Sequence, residues 1–241
     1  MHDWVDHEPV ASHMGITLAF DVYGTLIDTA GVVTAVEEFA GDRSAAFSHL
    51  WREKQLEYSF RRGLMQNYQR FKVCTENALD YTCAYFHIEL TRVEKAQLMA
   101  AYRVLPAFAD ARRALEALSS SHYRLFAFSN GHADDVNGLL RHAAIDHYFE
   151  AVVSVDEIRS FKPNPAVYGH FLRRSGATGA EAWLVSSNPF DVIGAVSAGM
   201  RAAWVKRSAA AIFDPWDIQP SITVNSLNTL EASLAAFDRR E

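Results

Sequence analysis

The chain has 241 residues, and at about 150 residues per domain we expect one or two domains. Hydrophobic residues make up 49% and charged residues 22%, which excludes an intrinsically disordered chain. A formal net charge of −6 argues against a dedicated nucleic-acid-binding protein, because such a protein needs a clustered positive field. No apolar stretch is long enough to span a bilayer. We therefore expect neither nucleic acid nor a membrane as a partner.

Residues 1–13 are acidic and histidine-rich and lack the basic and apolar blocks of a signal peptide, so we predict a frayed N-terminal tail there. The two cysteines, Cys74 and Cys83, would lie about 13 Å apart on one helix, which is too far for a disulfide. We therefore predict a reduced, cytoplasmic protein. The i, i+4 spacing of Cys83 and His87 also suits a metal, but on an aromatic-rich helix such residues are more often simply packed.

Short apolar runs predict buried strands at residues 16–20, 125–128, 152–155 and 182–185, with a weaker fifth strand at 202–205. Helical patterns alternate with these strands after residue 106. One such pattern places Phe108, Ala111, Leu115 and Leu118 on one face, and another lies around Val192. This alternation predicts an α/β fold with a doubly wound parallel sheet that is covered by helices on both faces.

Residues 30–104 have helical patterns and no convincing strand, which indicates a helical cap domain inserted into the α/β core. We predict a core domain at 14–29 and 105–236 and a cap domain at 30–104, joined near residues 28–31 and 105–107. A cap helix at 47–60 has one apolar face, formed by Phe47, Leu50, Trp51 and Tyr58. Its second stripe, formed by Arg52, Leu56, Ser59 and Phe60, suits either a helix that roofs a pocket or an arginine lying over apolar neighbours.

Polar clusters follow four of the predicted strands. They comprise Asp21 with the turn to Leu26, the segments 129–131 and 161–165, and the segment 186–188 with Asp191. Open parallel sheets bind ligands beyond the carboxyl ends of their strands, so these groups are expected to meet at one edge. Each cluster alone is a weak signal, because Asn130–Gly131 is also a turn pattern and Asp191 also suits a helix N-cap.

In order and spacing, from Phe20 to about Val205, the chain resembles the haloacid dehalogenase superfamily, and within it most closely the L-2-haloacid dehalogenases. The cap segment 50–58, LWREKQLEY, is close to a dehalogenase motif. Phosphatases of the superfamily carry a second aspartate where this chain has Tyr23, and acidic magnesium ligands where it has Ser186 and Ser187. Without those carboxylates a magnesium site lacks its hard oxygen ligands, so we expect no metal and no cofactor.

The resemblance implies a hydrolase that acts on carbon–halide bonds. It would convert short L-2-haloacids into D-2-hydroxyacids and halide through an ester on an aspartate. Among the catalytic residues carried over from the family, Asp21 would be the nucleophile, Lys162 its counter-charge and Thr25 its orienting donor. Arg52 would act on the halide side with Asn188 as a helper. Asp191 and Ser186 would activate and orient the attacking water. In the family pattern, a glutamine often stands where this chain has Glu53, which is expected to point away from the halide.

The resemblance also implies a set of residues around the substrate. Ser129 and Asn130 would bind its carboxylate, Tyr23, Leu56, Phe71 and Phe190 would form an apolar wall, and Tyr168 would support the site from behind. The family often has tryptophan where this chain has Phe190. Two alternatives stay open, a magnesium-dependent phosphatase of the same superfamily and a catalytically silent binding domain. Aromatic cap helices are also compatible with a homodimer.

Overall fold

The computed structural model describes residues 15–239 and has a six-stranded parallel sheet at its centre. The strand order is β3-β2-β1-β4-β5-β6. Its strands are β1 Thr17–Asp21, β2 Arg124–Ser129, β3 Ala151–Ser154, β4 Ala182–Ser186, β5 Arg201–Val205 and β6 Ile222–Val224. The five predicted strands are present, and the predicted doubly wound fold is confirmed. The sequence did not predict β6, a three-residue edge strand with one exposed position.

Nine α-helices accompany the sheet in residues 15–239. They are α1 Val32–Ala40, α2 Ser44–Leu64, α3 Phe71–Phe86, α4 Arg92–Ala101, α5 Ala111–Ser119, α6 Ala133–His142, α7 Pro165–Ser175, α8 Pro189–Ser197 and α9 Leu230–Asp238. Helices cover both faces of the sheet because successive side chains of a strand point to opposite sides. In β1, Leu18 and Phe20 join one apolar cluster, whereas Ala19 joins the other. None of these nine helices is long and apolar enough to cross a membrane.

Helices α1 to α4 come from the segment predicted as a cap, and residues 30–104 contain no strand. The two predicted junctions lie side by side. The Asp28 N–H donates to the Pro106 carbonyl at 2.8 Å, and the Phe108 N–H donates to the Leu26 carbonyl at 2.9 Å. The chain thus leaves and re-enters the sheet region at one point. The domain boundaries at 14–29, 30–104 and 105–236 stay a prediction, and the predicted tail at 1–13 lies outside the described residues.

The buried face of α2 differs from the predicted one. Phe47 and Trp51 are buried as expected, but Leu50 and Tyr58 are only half-buried, and the fully buried positions one and two turns beyond Trp51 are Gln55 and Ser59.

On the same cap, Cys74 and Cys83 are free thiols on α3, as the spacing predicts. His87 lies just past the end of α3 and is exposed, whereas Cys83 is buried.

An ion pair fixes the turn that follows β1. The Arg207 guanidinium donates to both Asp110 carboxylate oxygens at 2.8 Å and to the Thr25 carbonyl. Asp110 also accepts hydrogen bonds from the Ser226 hydroxyl and the Leu227 N–H, both at 2.8 Å. Sequence patterns gave no sign of this link, because its members lie far apart in the chain, from Thr25 to Leu227. It fastens the turn after β1 to the C-terminal part of the chain.

Replacing Arg207 by methionine leaves the Asp110 carboxylate without its cation in a largely buried position. We expect Arg207→Met to lower the free energy of unfolding by about 2 kcal/mol, measured by urea denaturation. Arg113→Met is the matched control, because Arg113 is exposed on α5 and its loss should change stability by less than about 0.5 kcal/mol. Equal urea midpoints for the two variants would contradict a stabilising role for the ion pair.

Candidate active site

The carboxyl ends of the central strands bring the predicted polar clusters together. Asp21 ends β1, Ser129 ends β2 and Ser186 ends β4, and β1 lies between the other two strands in the sheet. The chain runs to one side of β1 for β2 and β3 and to the other side for β4 and β5. Such a switch point leaves a crevice at the strand ends, which is where open α/β sheets bind ligands.

The two carboxylate oxygens of Asp21 have unequal surroundings. Oδ2 accepts three side-chain hydrogen bonds, from Asn188 Nδ2 at 2.7 Å, Thr25 Oγ1 at 2.9 Å and Ser186 Oγ at 3.3 Å. Oδ1 accepts one, from Lys162 Nζ at 3.2 Å. The carboxylate is therefore fixed through Oδ2, while Oδ1 keeps a free lone pair. Asn188, which the resemblance implies as a helper on the halide side, donates its amide to Asp21 in this structure, and its role toward the halide stays a prediction.

Lys162 is the buried cation of the site, with a side chain only 2% exposed. Its ammonium donates to Asp21, to Asp191 Oδ2 at 2.8 Å and to the Phe128 carbonyl at 2.9 Å, so all three of its protons are used. Burial alone would lower the pKa of Lys162, but the carboxylates of Asp191 and Asp21 outweigh burial and raise it. The lysine therefore stays charged, as one cation between two carboxylates.

Asp191 lies on α8 and is completely buried. Burial raises the pKa of Asp191 above its usual range, and the nearby charge of Asp21 adds to the rise, although Lys162 opposes it. Asn188, not Asp191, holds the N-cap position of α8. The Tyr168 hydroxyl donates to Asp191 Oδ1 at 2.8 Å and is itself fully buried, so Tyr168 lies behind the carboxylates.

Two small residues that sequence reasoning did not place among the site residues support these contacts, Gly194 behind Asp191 and Ser187 behind Asp21. A Cβ at position 194 would overlap the Tyr168 hydroxyl and approach Pro163 Cβ to 2.8 Å, so only glycine lets α8 come this close to α7. Ser187 was predicted as part of the polar segment 186–188 and as the replacement for a magnesium ligand. Its N–H donates to Thr25 Oγ1 at 2.9 Å, which leaves the threonine proton for Asp21.

Ser129 and Asn130 keep their donors free. The Ser129 hydroxyl oxygen accepts from the Gly131 N–H at 3.0 Å, and Asn130 Oδ1 accepts from the Lys162 N–H at 3.0 Å. No group in residues 15–239 accepts the serine O–H or the asparagine NH₂ protons. Both side chains are thus oriented by the bonds they accept and still able to donate to an anion.

Arg52 lies where the cap meets the core. Its guanidinium is 3.5 Å from Gln55 Oε1 and close enough to influence the ionisation of Tyr23 and Tyr102. Burial and the charge of Asp135 raise the pKa of Tyr23 in spite of Arg52, so the phenol stays neutral. Both tyrosines, with Gln55, line a cavity of about 760 Å³ between α3, α4 and the start of α6. The stripe that carries Arg52 therefore faces the core, as one of the two interpretations of the cap helix predicts.

The remaining predicted residues lie around this boundary. Phe190 packs edge-on against Phe60 of α2, with ring centroids 5.0 Å apart, and Phe71 packs against Phe161 at 6.3 Å. Leu56 is half-buried on α2, one turn beyond Arg52. Glu53 is exposed and faces His49 at 3.4 Å, so it points away from the core. No group of three or more His, Cys, Asp or Glu side chains is arranged to hold a metal ion in residues 15–239.

Comparison with known proteins identifies the family. The family model described as haloacid dehalogenase-like hydrolase matches residues 17–199. The chain belongs to the haloacid dehalogenase-like hydrolase family. Haloacetate dehalogenase H-2 of Moraxella sp. (strain B) is 36% identical over 213 residues, which are 88% of this chain and 95% of that protein. The (S)-2-haloacid dehalogenase 2 of Pseudomonas sp. (strain CBS-3) is 34% identical over 224 residues, which are 92% of this chain and 97% of the relative.

Solved structures agree with this family assignment. The L-2-haloacid dehalogenase of Xanthobacter autotrophicus, in a structure with chloropropionic acid covalently bound, is 32% identical and superposes with a TM-score of 0.85. That match covers 92% of this chain and 99% of the solved chain. Among haloacid dehalogenase-like hydrolases, this chain is thus similar over nearly its whole length to the L-2-haloacid dehalogenases.

The hydrogen bond from Tyr168 to Asp191 gives a test of the buried charges. It favours the ionised carboxylate and so lowers the pKa of Asp191, opposing burial. Removing it in Tyr168→Phe should raise the pKa of Asp191 further. The measurement is the carbon-13 shift of the Asp191 carboxyl against pH, assigned with Asp191→Asn. Tyr58→Phe on the cap serves as the control, and an unchanged titration in Tyr168→Phe would contradict the assigned contact.

Proposed function

We propose that this hydrolase converts short L-2-haloacids into D-2-hydroxyacids and halide through a covalent ester on Asp21. The observation that carries the proposal is the asymmetric carboxylate of Asp21, buried at the strand ends with three donors on Oδ2 and only Lys162 on Oδ1. A carboxylate is a modest nucleophile, so it must be ionised, oriented and shielded from water. Lys162 places a positive charge beside the carboxylate, and the three donors on Oδ2 set its direction.

In the first step, Asp21 Oδ1 attacks C2 of the substrate from the side opposite the halogen. The new bond joins Oδ1 to C2, and the carbon–halogen bond breaks with its electron pair leaving on the halide. Attack from behind inverts C2, which is why an L-2-haloacid gives a D-2-hydroxyacid. The free O–H of Ser129 and NH₂ of Asn130 are suited to hold the substrate carboxylate, because both are preorganised donors without a protein acceptor in residues 15–239.

Arg52 is proposed to receive the departing halide. Its guanidinium lies close enough to act on Tyr23, which follows Asp21 by two residues. Negative charge grows on the halide as the bond breaks, so a cation there stabilises the transition state more than the bound substrate. Tyr23, Leu56, Phe71 and Phe190 are the side chains proposed to surround the alkyl group.

In the second step, water attacks the carboxyl carbon of the ester rather than C2. Asp191 accepts a proton from this water, for which its raised pKa suits it, and Ser186 helps to orient the ester. The bond between the carboxyl carbon and Oδ1 breaks, and Oδ1 leaves with the product and takes the second proton of the water to become its hydroxyl group. Asp191 then releases its proton to solvent. Asp21 regains a carboxylate that contains one oxygen atom from water. Lys162 contacts both carboxylates and links the two steps.

We further propose a cytoplasmic location and a homodimer. The cytoplasmic proposal is supported by the two thiols, which are buried and unbridged. The dimer proposal is supported by α3, which presents Tyr81 and Tyr85 with 41% and 61% of their surface exposed and their rings stacked. Exposed neighbouring aromatics are typical of surfaces that another protein covers.

A single-turnover experiment in ¹⁸O water tests the covalent step. With enzyme in excess, the product oxygen comes from Asp21, so the first product molecules should carry ordinary oxygen. The label should instead appear in the peptide that contains Asp21, measured by mass spectrometry. Asp21→Asn should lose activity, because an amide oxygen is a poorer nucleophile.

A chelator test and the labelling result itself separate this reaction from the alternatives. A chelator should leave halide release unchanged, whereas activity that is lost and then restored by magnesium would favour a phosphatase of the superfamily. Product that is fully labelled in the first turnover would contradict the ester. It would mean that water attacks C2 directly and that Asp21 acts as a general base.

The halide site is tested with Arg52→Lys, which keeps the charge but replaces the planar guanidinium by a compact, strongly hydrated ammonium. We expect kcat to fall at least about tenfold, equivalent to about 1.4 kcal/mol. The measurement is halide release under saturating substrate. Arg61→Lys on the exposed end of the same helix is the control and should keep wild-type activity. Normal kcat in Arg52→Lys would show that Arg52 is only a surface residue of the cap.

A further inference from the structure

Gln55 is a fully buried amide on the buried face of α2, and it bridges Arg52 and Tyr102. Its Oε1 lies 3.5 Å from Arg52 Nη1, and its Nε2 lies 2.7 Å from the Tyr102 hydroxyl. Sequence reasoning missed both Gln55 and Tyr102. The helical spacing could have indicated Gln55, because a residue one turn after Trp51 lies on the same face of the helix.

The chemistry of the three groups fixes the direction of every hydrogen bond among them. A guanidinium has no acceptor, so the Gln55 carbonyl oxygen must face Arg52 and the amide NH₂ must face Tyr102. The Tyr102 oxygen is then the acceptor from Gln55. Its own O–H proton must point elsewhere, and no group in residues 15–239 accepts it.

The free proton of Tyr102 lies at the cavity. Tyr102 borders it together with Tyr23 and Gln55, and its ring is anchored edge-on against the buried Trp51 with centroids 5.0 Å apart. Burial raises the pKa of Tyr102, although Gln55 and Arg52 oppose this effect, so the phenol keeps its proton at neutral pH. A positioned O–H donor therefore stands near Arg52 at the wall of the cavity.

We propose that Tyr102 donates a hydrogen bond to the departing halide beside Arg52 and thereby sets the preference of the enzyme among halogens. This inference rests on the proposed dehalogenation. A smaller halide concentrates its charge and accepts a stronger hydrogen bond, so chloride gains more from the phenol than bromide does. Gln55 acts as a positioning residue, because it holds the phenol and the guanidinium in one arrangement.

The test compares Tyr102→Phe with wild type on L-2-chloropropionate and L-2-bromopropionate. The ratio kcat/KM reports the steps up to release of the halide, and it should fall about tenfold for the chloro acid and about threefold for the bromo acid. Tyr58→Phe removes a phenol hydroxyl from a half-buried tyrosine of α2 that does not line the cavity, and it should leave kcat/KM unchanged for both substrates. Thermal melting checks that both variants are folded.

Inhibition provides a readout that does not depend on which step limits the rate. In Tyr102→Phe, chloride should inhibit at least about fivefold more weakly, because one charge-assisted hydrogen bond is lost. Propionate, which has the substrate carboxylate but no halogen, should inhibit both enzymes equally. A structural disturbance of the pocket would weaken both inhibitors.

The role of Tyr102 would be overturned if kcat/KM fell equally for the two substrates, if it did not fall, or if inhibition by chloride were unchanged. None of these results would contradict the proposed reaction. A wild-type enzyme that released neither halide would instead overturn the proposed function, and the halogen preference with it. The two failures are therefore distinguishable from the wild-type rates alone.

Discussion

The buried ammonium of Lys162 is the constraint on which the site depends. Two buried carboxylates, Asp21 at the end of β1 and Asp191 on α8, lie close together, and their negative charges would repel each other without a cation between them. One lysine, donating to both and to the Phe128 carbonyl, satisfies all three of its protons. The burial of Tyr168 and the missing side chain of Gly194 follow from packing α7 and α8 closely around this charge cluster.

A second theme is that several side chains in and near the site accept hydrogen bonds from the protein and keep their own donors available. Ser129, Asn130 and Tyr102 each accept one hydrogen bond from a protein N–H and retain an unpaired proton within the described part of the chain. The hydrogen bond that each side chain accepts fixes its orientation, while its remaining donor proton stays available to a ligand. These side chains favour an anion over a neutral ligand, because only an acceptor satisfies their remaining protons. Both ends of a haloacid, the carboxylate and the departing halide, meet this requirement.

Sequence reasoning predicted the fold and the placement of Asp21 and Lys162 because both depend on local patterns. Short apolar runs gave the strands, and parallel strands bring their carboxyl ends to one edge, so residues far apart in sequence were expected to meet there. It failed where tertiary contacts decide. Strand β6 has too few residues for a pattern, and hydrogen-bond direction at Gln55 and Asn188 depends on partners that periodicity does not reveal. The resemblance supplied residue types but not which oxygen of Asp21 each donor holds.

The two carboxylate oxygens of Asp21 have different surroundings, and as a result they differ in how long each atom stays in the protein. In the proposed reaction, Oδ1 departs with every product molecule and an oxygen from water takes its place, while Oδ2 stays in its three hydrogen bonds. If the carboxylate does not rotate between turnovers, the oxygen atom at Oδ2 is the one incorporated when the chain was synthesised. The oxygen at the other position is only as old as the last catalytic cycle. One side chain would then combine a permanent structural atom with an atom that is consumed as a reactant.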